Sequence, residues 1–177
     1  MTPGRRDPGQ LRPFEEALAS HRKMVLGVAR KLLGQSGDAE DVYQEVFLAL
    51  WGVWSNSSRP LSLSSYLYRA TVRECVRRLK KGQLQTTTDM VEVRDQSDGP
   101  EDHAQLRELE EHFRRSLAKL PQRQALAFVL RRLEGLAYAE VAQALGGSEE
   151  TARVYVHRAA ARLSRLLKDY LPGKEGK

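Results

Sequence analysis

Apolar residues recur at three- and four-residue steps along most of the chain, and alternating strand patterns are almost absent. Phe14, Ala17, Leu18, His21, Met24, Val25, Val28, Ala29, Leu32 and Leu33 mark a first amphipathic helix of about five turns, opened by Pro13 and closed by Gly34. After the loop "GQSGD", Asp38 is placed to cap a second helix from Ala39 to Trp54. Val42, Val46, Ala49, Leu50 and Val53 form its expected buried stripe. Asp41, Gln44, Glu45 and Leu48 fall together on another face, where a carboxylate-rich stripe exceeds what dipole compensation in the first turn requires. A third helix is predicted from Ser64 to Lys81, with Tyr68, Val72, Cys75, Val76 and Leu79 inward and Arg69, Arg73, Arg77 and Lys80 outward.

The pattern then breaks. Gly82 to Ala104 carries six acids and one base, with "TTTD" and "SDGPED" and no sustained period, and reads as an acidic flexible linker with room for short helical pieces. Helical spacing resumes with Leu106, Leu109, Phe113, Leu117 and Leu120. Pro121 then starts another helix, with Ala125, Leu126, Val129, Leu130 and Leu133 on its apolar face. A short helix at Tyr138–Leu145, the turn Gly146-Gly147-Ser148 and a long helix to about Leu171 complete a helix-turn-helix. The expected fold is all-α, with two small helical domains at 14–81 and 105–171 joined by the linker at 82–104.

Charge narrows the partners. The chain has 177 residues, a formal net charge of +6 and a pI near 9.6, which points to a polyanion. The stretch "ETARVYVHRAAARL" divides one helix into a packed side, Ala152, Val156, Ala159, Leu163 and Leu166, and a side bearing Arg153, Val154, His157 and Arg158. A helix that lies in the DNA major groove needs this division, because arginine reaches both acceptors of a guanine while further cations fix the phosphates. An ordinary solvated arginine-rich helix shows the same pattern. The single cysteine, Cys75, allows no internal disulfide and sits on an apolar stripe. The four histidines lack metal-ligand spacing. No catalytic constellation, metal site or cofactor motif is found, so neither enzyme activity nor a cofactor is expected. The N-terminus "MTPGRRDPGQLRP" lacks a signal-peptide core, and "VFLALW" is too short to span a bilayer. A cytoplasmic protein without stable membrane insertion is expected.

Four motifs, "AEDVYQEVFLALW", "SSYLYRATVRECVRRLKK", "LPQRQALAFVLRRLEGLAYAEVAQALG" and "ETARVYVHRAAARL", resemble in order and spacing the bacterial RNA polymerase sigma factors of the extracytoplasmic-function group. Each alone is modestly specific; the series is highly specific. The resemblance implies a first domain that binds core RNA polymerase and melts the −10 promoter element, and a second that reads the −35 element. It places Asp41, Gln44, Glu45 and Leu48 at the polymerase contact. It implies −10 DNA contacts at Asn56, Ser57, Ser58 and Arg59 in the loop, and at Tyr66, Arg69, Arg73 and Arg77 on the helix that follows. Holding a separated strand requires phosphate contacts and stacking on unpaired bases, which arginine and tyrosine supply. Thr151, Arg153, Val154, His157, Arg158 and Arg162 are implied −35 contacts. An anti-sigma factor is an implied partner.

The chain departs from the family pattern in three places. Ala137 stands where a capping serine is frequent, with an expected loss of about 1 kcal/mol. Gly147 replaces an apolar turn residue, which predicts a looser turn. Val154 and Tyr155 replace serine and arginine, so the resemblance does not extend to a −35 sequence. Two other functions share part of the pattern. One is a helix-turn-helix DNA-binding regulator whose N-terminal half dimerises or senses, against which the "AEDVYQEVF" helix argues. The other is a sigma-like interaction protein that does not initiate transcription. A membrane-surface protein is disfavoured, since the apolar stripes are those the fold itself needs.

Overall fold

The computed structural model describes residues 8–34, 38–55, 60–88, 101–168 and 170, and contains helices but no strand among them. In chain order these are α1 (Pro8–Leu33), α2 (Asp38–Ser55), α3 (Leu63–Thr88), α4 (Glu101–Ala118), α5 (Gln122–Phe128) with a π-helical turn at Val129–Leu133, α6 (Tyr138–Leu145) and α7 (Glu149–Leu166). They fall into two compact units, Met1–Glu74 and Cys75–Lys177.

In the first unit α1 packs on α2. Val25, Val28, Ala29 and Leu32 of α1 and Ala39, Val42, Val46 and Leu50 of α2 are buried as their spacing demands. Each fully buried Val or Leu contributes about 1.5–3 kcal/mol. Ala49, expected in this stripe, is exposed; Phe47 and Trp54 are buried instead. Phe14 meets Trp51 and Trp54 edge-on, with ring centroids 4.8 and 5.7 Å apart, and the buried arc of α2 is turned toward the edge that carries Phe47 and Trp54. Arg30 pairs with Glu40 at 2.7 Å, joining the end of α1 to the start of α2. His21 ties α1 to α3, its Nε2 lying 3.3 Å from the Ser64 hydroxyl.

Pro13 does not open α1. It lies inside the helix, where it forgoes the bond its N–H would have given to the Gly9 carbonyl. Proline is favoured at the first helical position but not confined to it, and α1 begins instead at Pro8. The third helix also exceeds its expected end at Lys81 and runs to Thr88. Gly82 costs a helix only about 1 kcal/mol against alanine, and no proline stands between 82 and 88 to stop propagation. The start of α4 at Glu101, just after Pro100, takes up the other end of the expected linker. Residues 89–100 lie outside the described part.

In the second unit α7 packs on α4, α5 and α6. The core joins Leu117, Leu120, Leu130, Val141, Ala144, Ala152, Val156, Ala159 and Leu163. Leu106 and Leu166, both expected inward, are 53% and 40% exposed. At the end of α7 it is Leu167, one full turn beyond Leu163, that returns to the core.

Candidate polymerase and DNA interfaces

On α2 the buried positions leave Asp41, Gln44, Glu45 and Leu48 together on the exposed face. Leu48 is 70% exposed in the midst of these polar neighbours. Asp38, Glu40 and Asp41 occupy the first turn, where the helix dipole favours carboxylates. The face is thus acidic with one large apolar side chain, and the opposite side of the same helix is locked into the core.

Of the expected −10 contacts, Asn56, Ser57, Ser58 and Arg59 lie outside the described residues. The chain is described again from Pro60, and Leu61 is fully exposed. Ser62 caps α3: its hydroxyl accepts the Ser65 N–H at 3.3 Å. Tyr66 follows in the first turns of α3, half-buried, and Arg69, Arg73 and Arg77 are exposed at successive four-residue steps. Thr71 is buried and donates to the Leu67 carbonyl at 2.7 Å, and Cys75 is buried in the core. One side of α3 is therefore fixed while the other offers a row of guanidinium groups.

The helix-turn-helix is α6, its turn and α7. The turn is tight, contrary to the looseness expected of Gly147. Gly146 adopts a left-handed conformation at φ 65°. The Gly147 N–H reaches the Ala142 carbonyl at 3.0 Å and the Gly146 N–H the Gln143 carbonyl at 3.2 Å, the paired bonds of a Schellman motif. Gly146 thus carries the conformational demand. Ser148 then caps α7, accepting the Thr151 N–H at 3.2 Å. At the start of α6, Ala137 has no side-chain acceptor, as expected, but Glu140 supplies the reciprocal half of a capping box by accepting the Ala137 N–H at 2.8 Å.

Along α7, Arg153, Val154, His157, Arg158 and Arg162 are exposed, Thr151 is half-buried, and Ala152, Val156, Ala159 and Leu163 are buried. The structure thus leaves five of the six expected −35 residues exposed along one helix, with Thr151 half-buried beside the Ser148 cap. It also adds two residues that sequence reasoning missed. The Arg153 guanidinium lies 4.2 Å from the centroid of the Tyr138 ring, and that of Arg131 lies 4.7 Å from the same ring. Arg131 is anchored by a 2.9 Å bond to the Leu136 carbonyl. It stands in the π-helical turn, where the Glu134 N–H reaches back to Val129 and that of Leu136 to Leu130, an irregularity frequent at functional sites. A π-turn leaves no mark in hydrophobic periodicity, and nothing in a linear pattern pairs 131, 138 and 153.

Comparison with known proteins shows the family. The Sigma-70 region 2 family matches residues 17–85, and the Sigma-70 region 4 family matches residues 110–163. SigM, an ECF RNA polymerase sigma factor of Mycobacterium tuberculosis H37Rv, is 30% identical over 154 residues, covering 87% of this chain and 76% of its own. This chain belongs to the ECF RNA polymerase sigma factors. Another member, SigF of Caulobacter vibrioides, is 32% identical over 169 residues, covering 90% of this chain and 88% of its own. Among solved structures, CnrH in complex with the cytosolic domain of CnrY superposes with a TM-score of 0.55 at 25% identity, covering 90% of each chain. This sigma factor directs promoter-specific transcription initiation, a role in transcription rather than that of a classical enzyme. Among its described residues no helix is long and apolar enough to cross a membrane.

Proposed function

We propose that this sigma factor docks on core RNA polymerase through the α2 face of Asp41, Gln44, Glu45 and Leu48, and reads the −35 element through Thr151, Arg153, Val154, His157, Arg158 and Arg162. The −10 element is opened by Asn56 to Arg59 together with Tyr66, Arg69, Arg73 and Arg77. Domains at 14–81 and 105–171 act on the two promoter elements, and the acidic segment 82–104 links them. The observation that carries the reading is the division of α7. Its inner residues are buried almost completely, while its other side presents four cationic or imidazole side chains and a half-exposed valine. A helix with that division, held by a capped glycine turn, fits the major groove.

The work takes place where the polymerase is, in the cytoplasm. A further partner is an anti-sigma factor, supported by a structural neighbour of the same fold, the sigma factor RpoE from Bartonella quintana, solved in complex with the anti-sigma factor NepR. Such a partner would cover faces this chain needs for polymerase or DNA. In-vitro transcription with purified core polymerase tests the reading. Transcripts from a promoter library that depend on this chain are expected. Assembly with core that yields no promoter-dependent transcript would leave the sigma-like interaction protein as the better description.

A further inference from the structure

Arg153, Arg131 and Tyr138 form a cluster that a DNA-reading helix does not need for its own folding. Arg153 is exposed on α7, Tyr138 is the half-buried first residue of α6, and Arg131 belongs to the π-helical turn before it. Both guanidinium groups lie within cation–π distance of the one ring. Two like charges against one ring repel each other, so the arrangement persists only if each is held. Arg131 is held by the Leu136 carbonyl at 2.9 Å, and Glu149, 3.4 Å from Arg153, offsets part of the repulsion in the free chain, a contact that DNA displaces. A long arginine side chain has much rotamer freedom, and ordering it on binding weakens recognition. A guanidinium already laid against a ring keeps its edge N–H groups available for a guanine.

We propose that Tyr138 is a positioning residue for base recognition: its ring face pre-orders the Arg153 guanidinium, and the π-helical turn fixes that ring through Arg131. The proposal deepens the reading of α7 as the −35 helix and rests on it. Tyr138 thereby sharpens base preference at the position Arg153 reads, while the phosphate contacts made elsewhere on α7 remain independent of it.

The test selects full-length chain against a pool of short DNA duplexes with a randomised central stretch, followed by sequencing. In the wild type a guanine preference at one or two positions is expected, and Arg153→Ala removes it. Tyr138→Leu should weaken that same preference about two- to five-fold, the range of an exposed cation–π contact, and leave other positions unchanged. Tyr138→Phe, which keeps the ring, should retain it. In the Arg153→Ala background Tyr138→Leu should add nothing. Full preference in Tyr138→Leu, equal loss in the Phe and Leu variants, or an even loss at all positions would each overturn the proposal. A wild type that selects no sequence, or an Arg153→Ala variant with wild-type preference, would overturn the reading of α7 as well. Should Tyr138→Leu fail to fold by circular dichroism, NMR of the wild-type chain decides. The Arg153 side-chain protons should show an upfield ring-current shift, and ordinary random-coil positions would refute the stack.

Discussion

Glu149 and Arg153 face each other across one turn of α7, the carboxylate 3.4 Å from the guanidinium, with both side chains about half exposed. The pair gives the isolated helix a few tenths of a kcal/mol. It also sets a carboxylate beside the cation meant to approach DNA. Binding must break or bend this contact, and the phosphates repel the acid. Glu149→Gln is therefore expected to tighten DNA binding about two- to ten-fold at low salt, with the gain shrinking as salt screens it. Fluorescence anisotropy over a salt series measures this. The first turn keeps Glu150 for the helix dipole, so the folded state should lose less than about 1 kcal/mol. Weaker binding in Glu149→Gln would mean that the carboxylate aims Arg153 rather than restraining it.

The two glycines of the turn make opposite demands. Gly146 has φ 65°, where a side chain is strained even though a Cβ there would meet open space. Gly147 has no such φ, and its Cβ would meet only Thr151 at 3.8 Å, an ordinary contact. Gly146→Ala is expected to cost about 1 kcal/mol. Gly147→Ala should be neutral or stabilise by about 0.4–1 kcal/mol through the unfolded chain. Urea denaturation of both variants should place their midpoints on opposite sides of, or at, the wild-type value. Equal destabilisation would show that Gly147 also carries backbone strain.

Ala137 offers a gain in the other direction. It precedes α6 in an extended conformation, φ −62° and ψ 154°, with no side-chain acceptor, while Glu140 already holds its N–H. Ala137→Ser would complete the box by accepting an N–H from the first turn, and about 0.5–1.5 kcal/mol of added stability is expected. Because Ala137 is exposed and adjoins Tyr138, thermal denaturation should be read beside the duplex selection. A higher midpoint with unchanged base preference is the expected pair of results.

What the sequence disclosed and what it hid divides along a physical line. The inward stripes of α2, α5 and α7 were legible because burial on one face forces a 3.6-residue period, and that period placed Asp41, Glu45, Arg153 and Arg158 outward without a structure. Exceptions arose where neighbours decide. The buried arc of α2 is turned from Ala49 toward Phe47 and Trp54, and at the end of α7 Leu167 is buried in place of Leu166, because the neighbouring elements decide where an arc is centred. Pro13 marks no boundary, because a proline's preference for a helix start does not confine it there. The Arg131–Tyr138–Arg153 cluster was invisible because it joins three elements through a π-turn. The roles of Asn56 to Arg59 rest on family resemblance alone.

The polymerase-facing assignment is the most exposed to refutation, since it asks a small acidic face to hold a large partner. Asp41 and Glu45 are one turn apart on α2 and both exposed, and Leu48 adds the one large apolar surface beside them. An apolar anchor ringed by charges is the arrangement in which a few residues dominate binding. Charge here steers the encounter, and the leucine supplies contact once water is expelled. The combined Asp41→Lys and Glu45→Lys variant should lose co-purification with core polymerase, and Leu48→Ala should weaken it by about 1–2 kcal/mol through lost apolar burial. Neither change touches the buried stripe of Val42, Val46 and Leu50, so helical content by circular dichroism should stay at the wild-type level. DNA binding by the free chain should also persist, because α7 is unaltered. Should the double reversal assemble holoenzyme as readily as the wild type, the acidic face of α2 would be a solvated surface and the polymerase contact would have to be sought elsewhere on the chain.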